Sequence, residues 1–483
     1  MPAGQGKVLT LERLHPRITD LRVPAMENVL KRAADIKQEL ALGVQKPFQE
    51  LIPCYSEAVH SVGQKPITFI RQVAAVCAFP ELLNSDSLPE DVKHRARSLL
   101  EELIGGTIGG YNVEYSIRNL PTKVAQYIER RDGGVPASPN NVIISVGATS
   151  AILSTMSFIV TEEDPRRTGV MVCGPLRPVY RDAIVHCGAL KVECLLNEEE
   201  GWALDVGEIR RSLYKARTHC TPKVLCIANP GNPTGHVQSR RCIEEVIRLA
   251  ADENLLLFAD EVNQDAVFAP GSQFHSFKKV LLEMGQPHSE DVQLISFHSI
   301  SSAAFGEGAL RGAYFEFINI DKEVMEYLHL NAFFGHPPVL GMIALDLMLH
   351  PPMPGDPSHD TFVAERQQVL DKLAKQARLA EEILNQGSGI HCNPIQGAMY
   401  AFPRIEIPEK AVKMAQTQGL EPDVFFCRQL LDKTGIIVAP GSDFGQAEGT
   451  HHIRITLFEP LEKLRMVLTS IKDFHRTFLL EYS

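Results

Sequence analysis

The segment Ser296-Phe297-His298-Ser299-Ile300-Ser301-Ser302, followed nine residues on by Arg311-Gly312, gathers hydroxyls and a guanidinium in one short stretch. A planar guanidinium beside serine hydroxyls suits a phosphate dianion, which accepts charge-assisted hydrogen bonds. A second anion-binding candidate is Val142-Ile143-Ile144-Ser145-Val146-Gly147-Ala148-Thr149-Ser150-Ala151-Ile152, which passes from an apolar run through a glycine turn into a helical pattern. The start of such a helix offers N–H groups with no partner inside the helix and the positive end of its dipole. Taken alone, the more ordinary reading of this segment is a strand–helix turn with Thr149 or Ser150 as the cap. The run Asn229-Pro230-Gly231-Asn232-Pro233-Thr234-Gly235 is sharper, because two Asn-Pro pairs fix a turn after an apolar strand. Alternating strand–helix proteins place ligands at that end of a strand. Asp260-Glu261 directly follows Leu255-Leu256-Leu257-Phe258-Ala259. Carboxylates at the end of a buried strand are costly unless they are paired, sit in a site or reach solvent. Arg454, on the polar side of His451–Leu457, suits either a bidentate grip on a carboxylate or a structural ion pair.

The elements that position these residues follow from hydrophobic spacing. Residues 1–95 are mixed, with a helical stretch at Met26–Leu42 and irregular Pro-containing sequence after it. From about 100 to 345, short aliphatic runs alternate with helical segments: Asn141–Ser145, Gly169–Cys173, Lys223–Ala228, Asn254–Ala259 and Val292–Phe297. Short continuous apolar runs between helices predict parallel strands covered on both faces. The Pro/Gly/Asp-rich stretch His350–Ser358 reads as a boundary. Beyond it, Asp360–Asn385 carries the spacing of a long amphipathic helix, through Phe362, Leu370, Leu373, Leu379, Ile383 and Leu384. Gly397–Pro403 belongs to the same C-terminal part, and the alternation in His451–Leu457 predicts a half-buried strand. The pattern as a whole predicts a large α/β unit and a smaller α+β unit.

Composition excludes several function classes. The 483 residues carry a net charge of −11 and show no Lys/Arg-dense face, which argues against non-specific nucleic-acid binding. No apolar run approaches the length of a membrane span, and the first residues lack an apolar targeting core; the cytoplasm is the expected location. The 10 cysteines include no Cys-x-x-Cys pair, so reduced core thiols are expected and a metal site is not.

Joined in this order, the segments resemble the type I pyridoxal-phosphate aminotransferases, and more narrowly the alanine aminotransferase family. Long strings carry that resemblance: Lys7-Val8-Leu9-Thr10-Leu11, Gln64-Lys65-Pro66-Ile67-Thr68-Phe69, Tyr127-Ile128-Glu129-Arg130-Arg131-Asp132-Gly133-Gly134, Gly271–Lys279, Pro460–Arg465 and Leu480-Glu481-Tyr482-Ser483. The resemblance implies the type I fold, an α/β protein with a large, mostly parallel sheet domain and a smaller α+β domain. It divides the chain into an N-terminal segment with part of the small domain (1–99), the large pyridoxal-phosphate-type domain (100–349) and the small C-terminal domain (350–483). It further implies that Asp260 faces the pyridine nitrogen and Asn232 the phenolic oxygen of the cofactor. Ala148, Thr149, Ser299, Ser301 and Arg311 would hold its phosphate, and Arg454 the substrate's α-carboxylate.

The departures from the family pattern are as informative as the matches. The position of the lysine that carries the cofactor is Ser302, and a hydroxyl cannot form an imine. The expected tyrosine after Asp-Glu-Val is Asn263, and the aromatic expected to stack on the ring is Arg177. Ser150 stands where an acid is expected, and Ser116 where a glycine is expected five residues after Tyr111. Lys278 and Lys279 read as solvated charges at the start of a surface helix, not as substitutes for the lysine. The expectation is a protein deficient in transamination that acts by binding: pyridoxal phosphate held without a covalent link, an amino acid or 2-oxo acid, or an active paralogue as dimer partner. The alternative is a working aminotransferase exchanging amino groups between alanine and 2-oxoglutarate, and a scaffold without cofactor stays open as a third reading. The family also implies a homodimer, with no membrane or nucleic-acid partner.

Overall fold

All five apolar runs become strands of one seven-stranded sheet. The computed structural model describes residues 9–110, 119–161, 166–331 and 337–483; Lys7, Val8, Tyr111 and Ser116 lie outside them. In chain order the strands are β1 (Val142–Ser145), β2 (Thr168–Gly174), β3 (Leu190–Leu195), β4 (Thr221–Ala228), β5 (Leu256–Asp260), β6 (Leu294–Ser299) and β7 (Ala313–Ile318). They lie in the order β1-β7-β6-β5-β4-β2-β3. Every pairing is parallel except the two made by β7, which runs against both β1 and β6. The sheet is mostly parallel, as the spacing predicts.

Helices cover both faces, and side-chain alternation decides which groups each face receives. On one face, Val170, Cys226, Phe258, Phe297 and Phe315 pack under α1 (Gly147–Ile159) and α2 (Pro178–Cys187). On the other, Met171, Leu225, Leu257 and Leu294 pack under α3 (Arg240–Glu253) and α4 (Phe277–Glu283). Each such fully buried side chain contributes roughly 1.5–3 kcal/mol. Continuing the alternation, Asp260 shares the face of Phe258 and Ser299 that of Phe297, whereas Glu261 turns to the face of Ala259 and Ser296.

A second core joins the two ends of the chain. The N-terminal helix Ala25–Ala41 packs with α5 (His359–Leu384), the helix Pro422–Thr434 and α6 (Leu461–Glu481), around Ile453 and Ile455. Those two isoleucines belong to the central strand of a small sheet, in which β8 (Tyr400–Ala401) and β9 (Ala439–Pro440) flank β10 (Ile453–Thr456). The prediction of a half-buried strand is corrected here: Arg454 and Thr456 on its polar side are 8% and 3% exposed. That side faces the strand ends of the seven-stranded sheet instead of water.

Lys278 also departs from expectation. It is buried in α4, and its Nζ lies 2.6 Å from Glu316 Oε1 on β7. The compensating carboxylate is 38 residues away in sequence, which the local pattern could not reveal. Both groups are 2% exposed, so removing one leaves a bare charge in the core. Lys278→Met is expected to lower stability by about 3–5 kcal/mol. Lys278→Met combined with Glu316→Leu should recover most of that loss; denaturant midpoints check both.

Candidate functional site

The carboxyl ends of β4, β5 and β6 converge with the polar side of β10. Between them lies a cavity of about 30 Å³, bordered by Glu57, Arg177, Asn232, Asp260, Asn263, Ser301 and Tyr400. Three residues expected to form the site, Asn232, Asp260 and Ser301, therefore border one space.

Asp260 ends β5 and is 3% exposed. Its Oδ2 accepts hydrogen bonds from Arg177 Nε at 3.0 Å, from Arg177 Nη2, and from Tyr180 Oη at 3.2 Å. Arg177 is the N-cap residue of α2 and Pro178 opens the helix, so one turn delivers both donors. Burial alone would lower the Arg177 pKa, but Asp260, Tyr180 and Glu57 together outweigh it and the net shift is upward. Tyr180 is held protonated, its pKa raised by burial first and by Asp260 second. The sequence reading expected Arg177 where an aromatic stacks; the structure places its guanidinium on Asp260 itself.

Arg454 is likewise engaged. Its Nη1 donates to Glu57 Oε1 at 2.9 Å and to Asn232 Oδ1 at 3.2 Å, and its Nη2 donates to the Tyr55 carbonyl at 3.0 Å. The guanidinium carbon lies 4.6 Å from the Tyr400 ring centre and 4.9 Å from that of Phe444. Tyr400 Oη donates to the same Glu57 oxygen at 2.9 Å. Desolvation would raise the Glu57 pKa, but Arg454, the Tyr400 hydroxyl and Arg177 together pull it below the ordinary carboxylate value. Glu57, Tyr180 and Tyr400 were not found by sequence reasoning. Glu57 in particular lies in irregular sequence with no periodicity to mark it.

The anion-binding candidates sit beside this cavity. Ser301 Oγ donates to Ser299 Oγ at 3.0 Å, and Ser299 Oγ donates to the Gly312 carbonyl at 3.1 Å. Arg311, with φ +65°, turns its Nη2 to the Val146 carbonyl at 2.9 Å. Its guanidinium lies over Gly147, where φ is +82° and a Cβ would come within 2.5 Å of Nη2. The left-handed backbone favours glycine there, and a side chain would also push the Arg311 guanidinium aside. Ala148 and Thr149 follow in the first turn of α1, whose N-cap is Val146 with no side-chain cap. Capping by Thr149 or Ser150 is thereby corrected, and Thr149 is exposed at the helix start.

Ser302 is 0% exposed, and its Oγ has no hydrogen-bond partner. It does not border the cavity that Ser301 borders. Asn263, which borders that cavity, also has its Oδ1 buried without a partner. On the opposite face of the sheet, Glu261 accepts from the Phe277 N–H at 2.8 Å and from Ser296 Oγ at 2.6 Å. Its pKa is pushed up to about 7, by burial above all, with Arg131 opposing. Among the described residues no group of His, Cys, Asp and Glu could hold a metal ion, and no helix is long and apolar enough to cross a membrane.

Comparison with known proteins places this geometry. The family model for aminotransferase class I and II matches residues 80–471. Alanine aminotransferase 2 of Xenopus tropicalis is 52% identical over 479 residues, covering 99% of this chain and 91% of that protein. Human alanine aminotransferase 1 is 50% identical over 480 residues, covering 99% and 97%. Among solved structures, an alanine aminotransferase from Pyrococcus furiosus superposes with a TM-score of 0.72 at 19% identity, covering 96% of this chain and all of that one. A Thermus thermophilus aspartate aminotransferase mutant gives 0.69 at 19% identity, covering 96% and 99%. These two likenesses are of fold, the type I fold expected from the sequence.

Glu261 gives the region a pH signature. Because its folded pKa lies above the unfolded value, its contribution to stability is complete below about pH 4.5 and is lost as the pH rises through about 7. The full loss is on the order of 3 kcal/mol. Between pH 5 and pH 8 the thermal midpoint of the parent should fall more steeply than that of Glu261→Gln. Parallel curves would show that Glu261 titrates normally.

Proposed function

The chain belongs to the alanine aminotransferase branch of the class I and II aminotransferases, and we propose that it has kept that scaffold while losing its amino-transfer chemistry. Ser302 carries the reading. It stands, on this proposal, where the family's lysine holds the cofactor and moves the proton. A hydroxyl does neither, and positioned acid–base catalysis alone is worth roughly 10²–10⁴-fold. Lys278 is no substitute, because it is held by Glu316. Glu316 neighbours Ser296 in register, on the sheet face opposite Asp260.

Pyridoxal phosphate is the cofactor of this family; when bound it supplies an electron sink for a substrate carbanion. The residues present fit its phosphate end. The Ala148 and Thr149 turn, Ser299, Ser301 and Arg311 would hold the dianion through charge-assisted hydrogen bonds. The ring end is different. Arg177 and Tyr180 already take Asp260 Oδ2, and a cavity of about 30 Å³ falls well below the roughly 300 Å³ at which small-molecule pockets begin. A ring nitrogen facing Asp260 would share the carboxylate with the Arg177 cation, through Oδ1, whose partner is the Val262 N–H at 3.4 Å. Binding of the cofactor is thus reversible and non-covalent on this reading. We further propose a cytoplasmic homodimer, or a heterodimer with an active paralogue, that turns over neither amino acids nor 2-oxo acids.

The test is borohydride treatment of the purified protein with pyridoxal phosphate, alongside an alanine transamination assay. No cofactor should survive denaturation, and turnover should be at or near background. Ser302→Lys should recover part of the activity at best, since Arg177 and Asn263 remain. A borohydride-fixed adduct, or robust turnover by a preparation free of host transaminases, would restore the reading as a working aminotransferase.

A further inference from the structure

The two ion pairs at the cavity share a feature that neither shows alone. Each internal partner carries the charge of the ligand group whose place it takes. Arg177 brings a cation to Asp260, the carboxylate assigned above to a protonated ring. Glu57 brings an anion to Arg454, the guanidinium assigned above to a substrate carboxylate. Arg177 also acts electrostatically on Glu57, so the four groups alternate in sign across the cavity. Two cations and two anions leave no net charge for an incoming ligand to balance.

We infer that Glu57 is a specificity-determining residue: its carboxylate occupies the carboxylate subsite on Arg454 and shuts out 2-oxo acids and amino acids. The inference rests on the assignment of Arg454 above. Its geometry is direct. One Glu57 oxygen takes both the 2.9 Å bond from Arg454 Nη1 and the 2.9 Å bond from Tyr400. The Tyr400 and Phe444 rings beneath the guanidinium and the Tyr55 carbonyl on its other nitrogen fix Arg454 in the orientation that Glu57 uses. A free carboxylate would have to displace a carboxylate that is tethered to the chain, and tethering raises effective concentration to the millimolar range or above. The Glu57 side chain is 50% exposed, so it stands at the mouth of the subsite, and its removal opens a path without excavating the core.

The experiment is calorimetric titration with 2-oxoglutarate and with pyruvate, on protein free of cofactor. The parent is expected to bind neither at low millimolar concentration. Glu57→Ala should bind at least one of them ten-fold more tightly or better, and adding Arg454→Gln should abolish the gain. Glu57→Gln keeps an acceptor for Tyr400 and guards against loss of the fold; it should gain part of the affinity. Equal binding by parent and both variants, or no gain in either, overturns the inference. The readout is independent of turnover: a borohydride-fixed cofactor adduct in the parent would sink the account of Ser302 alone. A missing gain in binding would sink the role of Glu57 alone.

Discussion

Asp260 closes a buried strand with a carboxylate that water barely reaches. A charge so placed must be met by a counter-ion and hydrogen bonds, because its desolvation alone would destabilise the fold by several kcal/mol. The first turn of α2 meets it twice, with the Arg177 guanidinium and the Tyr180 hydroxyl. The pair therefore ties the start of α2 to the end of β5, across β4, which lies between β2 and β5 in the sheet. It also shapes what the cavity can accept, since a cationic ring would meet a carboxylate already neutralised by an arginine.

The second pair extends the same logic to the small sheet. Arg454 lies on the polar side of β10, turned toward the strand ends of the large sheet and bonded to Asn232 in the Asn229–Gly235 turn. Buried there, it needs an anion, and Glu57 supplies one from a segment 397 residues away. The two pairs close the space where three regions of the chain meet. On the proposal above, the same closure that stabilises the interface excludes the ligands for which the scaffold is built.

Much of this was legible in the sequence, for physical reasons. β4, β5 and β6 are covered on both faces and so announce themselves as unbroken apolar runs. β3 does not, because it lies at the sheet edge and alternates Lys191 and Glu193 with apolar residues. β7 hides for another reason: Glu316 interrupts an otherwise apolar run and is tolerated only because Lys278 compensates it. The positions of Asn232, Asp260 and Ser301 at one cavity follow from strand ends, which local patterns locate well. Their partners do not. Glu57 with Arg454, and Lys278 with Glu316, are pairings across long sequence separations, fixed by packing and invisible to periodicity. Arg177 was noticed only as a departure from a family pattern; that it lands on Asp260 is a fact of three-dimensional placement.

The central claim is that Arg177 and Asp260 act as one buried pair. A double-mutant cycle of Arg177→Gln, Asp260→Asn and the combined variant, read from denaturant midpoints, measures that directly. Each single change should leave the other charge uncompensated, and the cycle should return a coupling of at least about 2 kcal/mol. Single changes that add to the double within about 0.5 kcal/mol would show that the two side chains do not depend on each other, and would contradict the account.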